Sequence, residues 1–146
     1  MHLDTRPILL VEDNPDDIEL TLHALKDNSI ANEVIVARDG SEAVEMLFGG
    51  DKSKAKDERL RPSIVLLDLK LPGLSGFDVL RRIREEQSTM FIPVVILTSS
   101  KEQLDLMNGY KLGANSYVRK PVDFEEFLTV VQQLGSYWLT VNEPIA

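Results

Sequence analysis

The run Ser63-Ile64-Val65-Leu66-Leu67-Asp68, followed by Leu69-Lys70-Leu71-Pro72-Gly73, restricts the fold more than any other stretch of the chain. It has strand length and is apolar at successive positions, not alternate ones. A strand with two apolar faces belongs inside a sheet covered on both sides, the usual situation of a parallel sheet. Asp68 falls where such a strand leaves its sheet, and open α/β sheets bind ligands outside the carboxyl ends of their strands. The competing reading makes Asp68 the opening of a polar turn before Pro72-Gly73. The rest of the chain weighs between the two.

Four further strand candidates follow, two of them, 7–11 and 93–97, apolar runs of the same kind. Residues 7–11 end in Glu12-Asp13, residues 33–37 precede the turn Asp39-Gly40-Ser41, residues 93–97 close on Thr98, and residues 116–119 precede Lys120-Pro121. Helical patterns separate them. Asn14 is placed to cap the first helix with Pro15 at its first position. Ile18, Leu22 and Leu25 then recur at helical spacing, and Asp16, Asp17 and Glu19 occupy the turn favoured by the helix dipole. Ser41 is read as the cap of a second helix reaching Phe48. Ser75 and Asp78 resemble a capping box for the third, whose inner face carries Phe77, Leu80 and Ile83. The fourth has Leu104, Met107 and Leu112 inward and stops at Gly113. The fifth starts at Asp123 with Glu126 three residues on, places Phe124, Leu128 and Val131 in the core, and runs through Phe127 and Leu134 toward Trp138. His23, mid-helix, is expected at the surface or the sheet margin.

Strands alternating with helices imply a parallel sheet with helices on both faces. Right-handed crossovers leave few windings, and the five-stranded solution expected is α/β, flavodoxin-like (βα)5, with strand order 2-1-3-4-5. One domain spanning 1–146 is expected, with a core of about 7–136, an extended polar loop over 49–62 and a tail over 137–146. Composition narrows the function. The chain has 146 residues, no cysteine, 24 acidic against 16 basic residues and a formal net charge of −8. That excludes a disulfide framework and thiolate chemistry, and it disfavours nucleic-acid binding by charge. No run has the length of a membrane span and the N-terminus lacks a signal-peptide layout, so a soluble, cytoplasmic protein is expected.

The strand ends, taken together, form a constellation. Glu12 and Asp13, Asp68, Thr98 and Lys120 all converge on one edge of such a sheet. Three carboxylates in one place repel unless a cation joins them. With no His or Cys in the set, zinc is disfavoured and Mg²⁺ is the ion expected. One ionised Asp, Mg²⁺, a hydroxyl and an ammonium suit phosphoryl transfer to the carboxylate, since an ionised Asp attacks phosphorus without a general base. The Lys120–Pro121 bond is left open between cis and trans.

Glu12-Asp13, Asp68 with Leu71-Pro72-Gly73, Thr98 and Lys120-Pro121 resemble the receiver domain of two-component response regulators, over about residues 8–134. The resemblance implies that Asp68 accepts a phosphoryl group from the phosphohistidine of a sensor histidine kinase or phosphotransfer protein. It implies Mg²⁺ ligation by Asp13, Asp68 and the Lys70 backbone carbonyl, with Glu12 acting through a metal-bound water. Thr98 and Lys120 would bind the phosphoryl oxygens, and Tyr117 with Thr98 would form the switch that remodels the surface; an ordinary strand aromatic is the other reading of Tyr117. It implies a phosphoacceptor switch that catalyses its own phosphorylation and dephosphorylation, not a turnover enzyme. The long loop, the chain end soon after the last helix and the tail with Tyr137 and Trp138 resemble stand-alone regulators paired with bacterial or cyanobacterial phytochrome kinases. These imply a homodimer, with Tyr137 and Trp138 as interface residues, and an unidentified downstream protein. Other readings remain. A dehalogenase-like aspartyl-phosphate enzyme wants an Asp where Lys70 stands. An FMN-binding flavodoxin wants a phosphate-cradling loop where Glu12-Asp13 stand. A pseudo-receiver would not need the acidic set.

Overall fold

A computed structural model of the chain describes residues 4–27, 30–49, 59–121 and 123–145. Five strands, β1 (Ile8–Val11), β2 (Val34–Ala37), β3 (Ile64–Leu67), β4 (Val94–Thr98) and β5 (Ser116–Arg119), form one sheet. All neighbours pair in parallel and the order is β2-β1-β3-β4-β5, as expected. Five helices alternate with them: α1 (Pro15–Asp27), α2 (Gly40–Phe48), α3 (Gly76–Glu85), α4 (Gln103–Lys111) and α5 (Phe124–Ser136). A π-helical turn, Tyr137–Val141, continues α5. Among the described residues no helix is long and apolar enough to cross a membrane.

The two-faced strands explain the successive apolar positions. Side chains alternate across a strand. Leu9, Val11, Val65, Leu67, Val94 and Ile96 enter one core layer with Val79, Leu80 and Ile83 of α3 and Ala43 and Leu47 of α2. Ile8, Leu10, Ile64, Leu66, Val95 and Leu97 enter the other, with Ile18 and Leu25 of α1 and Phe127 and Val131 of α5. Each fully buried aliphatic side chain of this kind contributes about 1.5–3 kcal/mol. That burial holds the strand ends in register at one edge of the sheet.

Three helix starts follow the reading of the sequence. Asn14 Oδ1 accepts the Asp16 and Asp17 N–H groups at 2.9 and 3.2 Å. Ser75 and Asp78 form a reciprocal capping box. Asp123 accepts the Glu125 N–H at 2.9 Å. The second helix differs. Its cap is Asp39, whose carboxylate accepts the Glu42 N–H at 2.7 Å, so Ser41 lies inside the helix. Asp39 has the residue three positions on within reach; Ser41 has already taken helical geometry.

Four side-chain placements also differ. Leu104 and Met107 are 65% and 52% exposed, not inward. The sheet-facing residue of α4 is Gly109, where a Cβ would stand 2.8 Å from Ile96 Cδ1 and 3.2 Å from the Tyr117 ring. The helix lies close to β4 and β5 at this glycine, and Leu104 and Met107 face outward. Leu22 is exposed at the rim of α1. Phe124 is exposed rather than in the core, its ring stacked on His23 of α1 at 5.9 Å between centroids. Of the loop expected over 49–62, residues 50–58 lie outside the described residues.

Candidate functional site

The parallel register brings the carboxyl ends of β1, β3, β4 and β5 together. Backbone bonds fix the residues just past them: Glu12 N–H donates to Ala37 O at 3.0 Å, Asp68 N–H to Val11 O at 3.0 Å, and Lys120 N–H to Thr98 O at 2.8 Å. Glu12 is 2% exposed and Asp68 8%, whereas Asp13 faces solvent. One carboxylate oxygen from each of Glu12, Asp13 and Asp68 lies within 4.8 Å of the others.

Both buried carboxylates are held by the backbone. Glu12 Oε2 accepts the Asp13 and Asn14 N–H groups at 3.1 and 3.3 Å. Asp68 Oδ1 accepts the Leu69 N–H at 2.7 Å and the Lys70 N–H at 3.4 Å. The Lys70 side chain is exposed. Lys120 joins the two strand ends: its ammonium donates to Glu12 Oε1, to Asp68 Oδ2 at 3.1 Å and to Asp17 Oδ2 at 2.9 Å. The Lys120–Pro121 bond is trans, so the ammonium reaches the site without a cis turn.

Burial pushes the Glu12 carboxyl up to about 7, against the opposing pull of Lys120. Burial alone would lower the Lys120 ammonium, but its contacts with Glu12, Asp68 and Asp17 outweigh that and raise it. Lys120 therefore stays charged, and among the described residues its single ammonium meets the carboxylates of Glu12, Asp17 and Asp68, with Asp13 beside them. That imbalance, with an all-oxygen donor set, fits a hard divalent ion such as Mg²⁺.

Thr98 is fully buried and its hydroxyl accepts the Ser100 N–H at 3.3 Å. Ser100 in turn donates to Asp105 Oδ2 at 2.6 Å and accepts the Glu102 N–H at 3.3 Å, tying the start of α4 to the end of β4. Tyr117 lies half-buried against Gly109, and its buried hydroxyl has no hydrogen-bond partner among the described residues. Burial pushes this phenol up. Tyr137 is exposed and Trp138 half-buried at the end of α5, far from the strand ends in sequence and paired edge to face at 4.9 Å.

The geometry thus gathers Glu12, Asp13, Asp68 and Lys120 and sets Thr98 one strand away. It leaves Tyr137 and Trp138 on another surface. Two residues of the site do not show in the sequence pattern. Asp17 reads there only as a helix-dipole residue in the first turn after Asn14. Gly76 reads as an ordinary residue beside a cap, but a Cβ there would stand 2.2 Å from the Asp68 carbonyl oxygen.

A doubly wound sheet with this acidic and lysine-bearing edge defines a class: residues 8–132 match the response regulator receiver domain, and the chain belongs to that family. Among its relatives is response regulator Rcp1 of Synechocystis sp., 37% identical over 140 residues, covering 95% of this chain and 93% of that protein. The Mn²⁺-bound form of Rcp1 superposes with a TM-score of 0.86 at 35% identity, over 97% of this chain and 99% of that one. The phosphorylated cyanobacterial phytochrome response regulator RcpA gives 0.89 at 32% identity, over 98% and 100%. The bacteriophytochrome response regulator AtBRR gives 0.73 at 48% identity, over 96% and 99%.

Proposed function

We propose that the chain is a phosphorylation switch in which Asp68 accepts a phosphoryl group from the phosphohistidine of a sensor histidine kinase or a phosphotransfer protein. The observation that carries this reading is the buried Asp68 carboxylate held against Lys120 beside Glu12 and Asp13. A carboxylate oxygen of Asp68 forms a bond to phosphorus as the phosphorus–nitrogen bond of the donor breaks. The imidazole leaves with that electron pair. No general base is needed because Asp68 reacts as the anion. Lys120 and the Thr98 hydroxyl are the donors for the phosphoryl oxygens, and Leu69 N–H keeps the Asp68 carboxylate oriented. Mg²⁺, held by Asp13, Asp68 and the Lys70 carbonyl with Glu12 acting through water, would neutralise charge on the phosphoryl oxygens. The Mn²⁺-bound form of Rcp1 supports an ion in this donor set.

The switch would read out through Thr98 and Tyr117. The likeness to RcpA and AtBRR supports a phytochrome-type kinase as partner. A homodimer with Tyr137 and Trp138 at its interface is supported by the exposure of the Tyr137 ring. A cytoplasmic setting without nucleic-acid binding agrees with the net charge of −8. The downstream protein would read the switched surface.

The test is intact mass after incubation with acetyl phosphate, with and without Mg²⁺. Wild type is expected to gain one phosphoryl group only with Mg²⁺, and Asp68→Asn none. A gain that persists in Asp68→Asn would move the acceptor elsewhere, and no gain in wild type would overturn acceptance from this donor.

A further inference from the structure

An ammonium has three N–H donors. In Lys120 they meet three carboxylates: Glu12, Asp68 and Asp17. The last of these stands outside the strand-end set. Asp17 is fixed by the first turn of α1: its N–H donates to Asn14 Oδ1 at 3.2 Å and its carbonyl accepts the Thr21 hydroxyl at 2.8 Å. Its carboxylate therefore reaches Lys120 from the first turn of α1.

An exposed ion pair would contribute little. Here the Lys120 side chain is only 10% exposed, so its end of the contact is poorly screened. Phosphorylation of Asp68 changes the balance around the ammonium. The Asp68 oxygens lose their carboxylate charge, and the 3.1 Å contact to Oδ2, the weaker of its contacts with the two Asp carboxylates, loses strength. A phosphoryl oxygen becomes the better acceptor beside it. Glu12 and Asp17 are then the two anchors left.

We propose that Asp17 is a positioning residue: with Glu12 it holds the Lys120 ammonium over Asp68, so that one N–H passes from the carboxylate to the transferred phosphoryl group while the other two stay in place. This rests on Asp68 being the phosphoacceptor. Without Asp17 the ammonium is anchored on one side only and spends part of its time out of line.

The experiment measures the rate of phosphoryl gain from acetyl phosphate by intact mass, at saturating Mg²⁺, for wild type, Asp17→Ala, Asp17→Asn, Lys120→Ala and the double variant. Asp17→Ala is expected to lower the limiting rate about tenfold, the equivalent of about 1.4 kcal/mol of lost alignment. The donor concentration at half-maximal rate should not change. Asp17→Asn, whose amide oxygen still accepts, should recover part of the rate. In the Lys120→Ala background, replacing Asp17 should have no further effect, because the two residues act as one unit. A second readout needs neither metal nor donor: the ¹⁵N ammonium resonance of Lys120, sharp in wild type, should broaden or vanish in Asp17→Ala. A wild-type rate and an unchanged resonance in Asp17→Ala would overturn the proposal, as would an equal loss with and without Lys120. Failure of wild type to gain a phosphoryl group would instead overturn the assignment of Asp68.

Discussion

Glu12 sits where solvation and charge pull in opposite directions. Its burial raises the carboxyl from an ordinary 4.5 to about 7, while Lys120 favours the ionised form. Between about 4.5 and 7 the folded protein holds a proton that the unfolded chain has released, so stability falls as pH rises through that window. The favourable contribution is complete below 4.5 and gone once pH passes about 7. Without metal, the urea stability of wild type relative to Glu12→Gln is expected to drop by about 1–3 kcal/mol between pH 4.5 and pH 7.5, since a tenfold change in proton affinity on folding is worth about 1.4 kcal/mol. Parallel pH curves for the two proteins would mean that Lys120 keeps Glu12 ionised throughout. At this scale Glu12, Asp13, Asp68, Thr98 and Lys120 are legible in the sequence because each stands at the carboxyl end of a strand candidate. Asp17 is not, because its contact with Lys120 depends on how α1 packs in the folded chain, across a spacing of 103 residues.

The segment linking β3 to α3 shows how an element can be set by one small residue. Gly76 N–H donates to Leu69 O at 2.9 Å, folding the start of α3 back onto the strand end. A Cβ at Gly76 would stand 2.2 Å from Asp68 O and 2.7 Å from Leu69 Cα. Both obstacles are backbone, so neither can rotate away. Gly76→Ala is expected to cost about 1–3 kcal/mol in chemical denaturation, the range for overpacking a tight site. It should also slow phosphoryl gain, because the strain displaces the Asp68 backbone; unchanged stability would mean the loop yields freely. The capping box around Ser75 is legible in the sequence, but the close approach is not, since a glycine beside a cap reads equally well as simple helix-start chemistry. The same limit explains α4. Apolar spacing marks Leu104 and Met107, yet the helix lies on Gly109, whose contribution is the absence of a side chain.

For the whole molecule, strands apolar at every position are enough to give a parallel sheet, and short connections limit its winding. The far boundary of the core is harder to see. Residues 137–146 read as a tail, because they extend past the last helical pattern and run into Asn142-Glu143-Pro144. Instead Tyr137–Val141 forms a π-helical turn that puts Leu139, 3% exposed, into the core layer shared by α1 and α5. Its carbonyl accepts the Asp4 N–H at 2.8 Å, and Leu139 lies against Ile8 and Ile64, the first residues of β1 and β3. That is the amino end of the sheet, opposite Glu12 and Asp68. A cavity there removes packing without touching the phosphoryl site. Leu139→Ala is therefore expected to lose about 2–4 kcal/mol in chemical denaturation, as buried Leu→Ala changes do. Its rate of phosphoryl gain should match wild type under conditions where both stay folded. A stability within about 0.5 kcal/mol of wild type, the range of surface substitutions, would mean that the turn frays and adds nothing to the core. A slowed rate in a fully folded variant would mean instead that packing at the amino end of β1 and β3 sets the geometry at their carboxyl end, with four-residue strands transmitting the disturbance along their length.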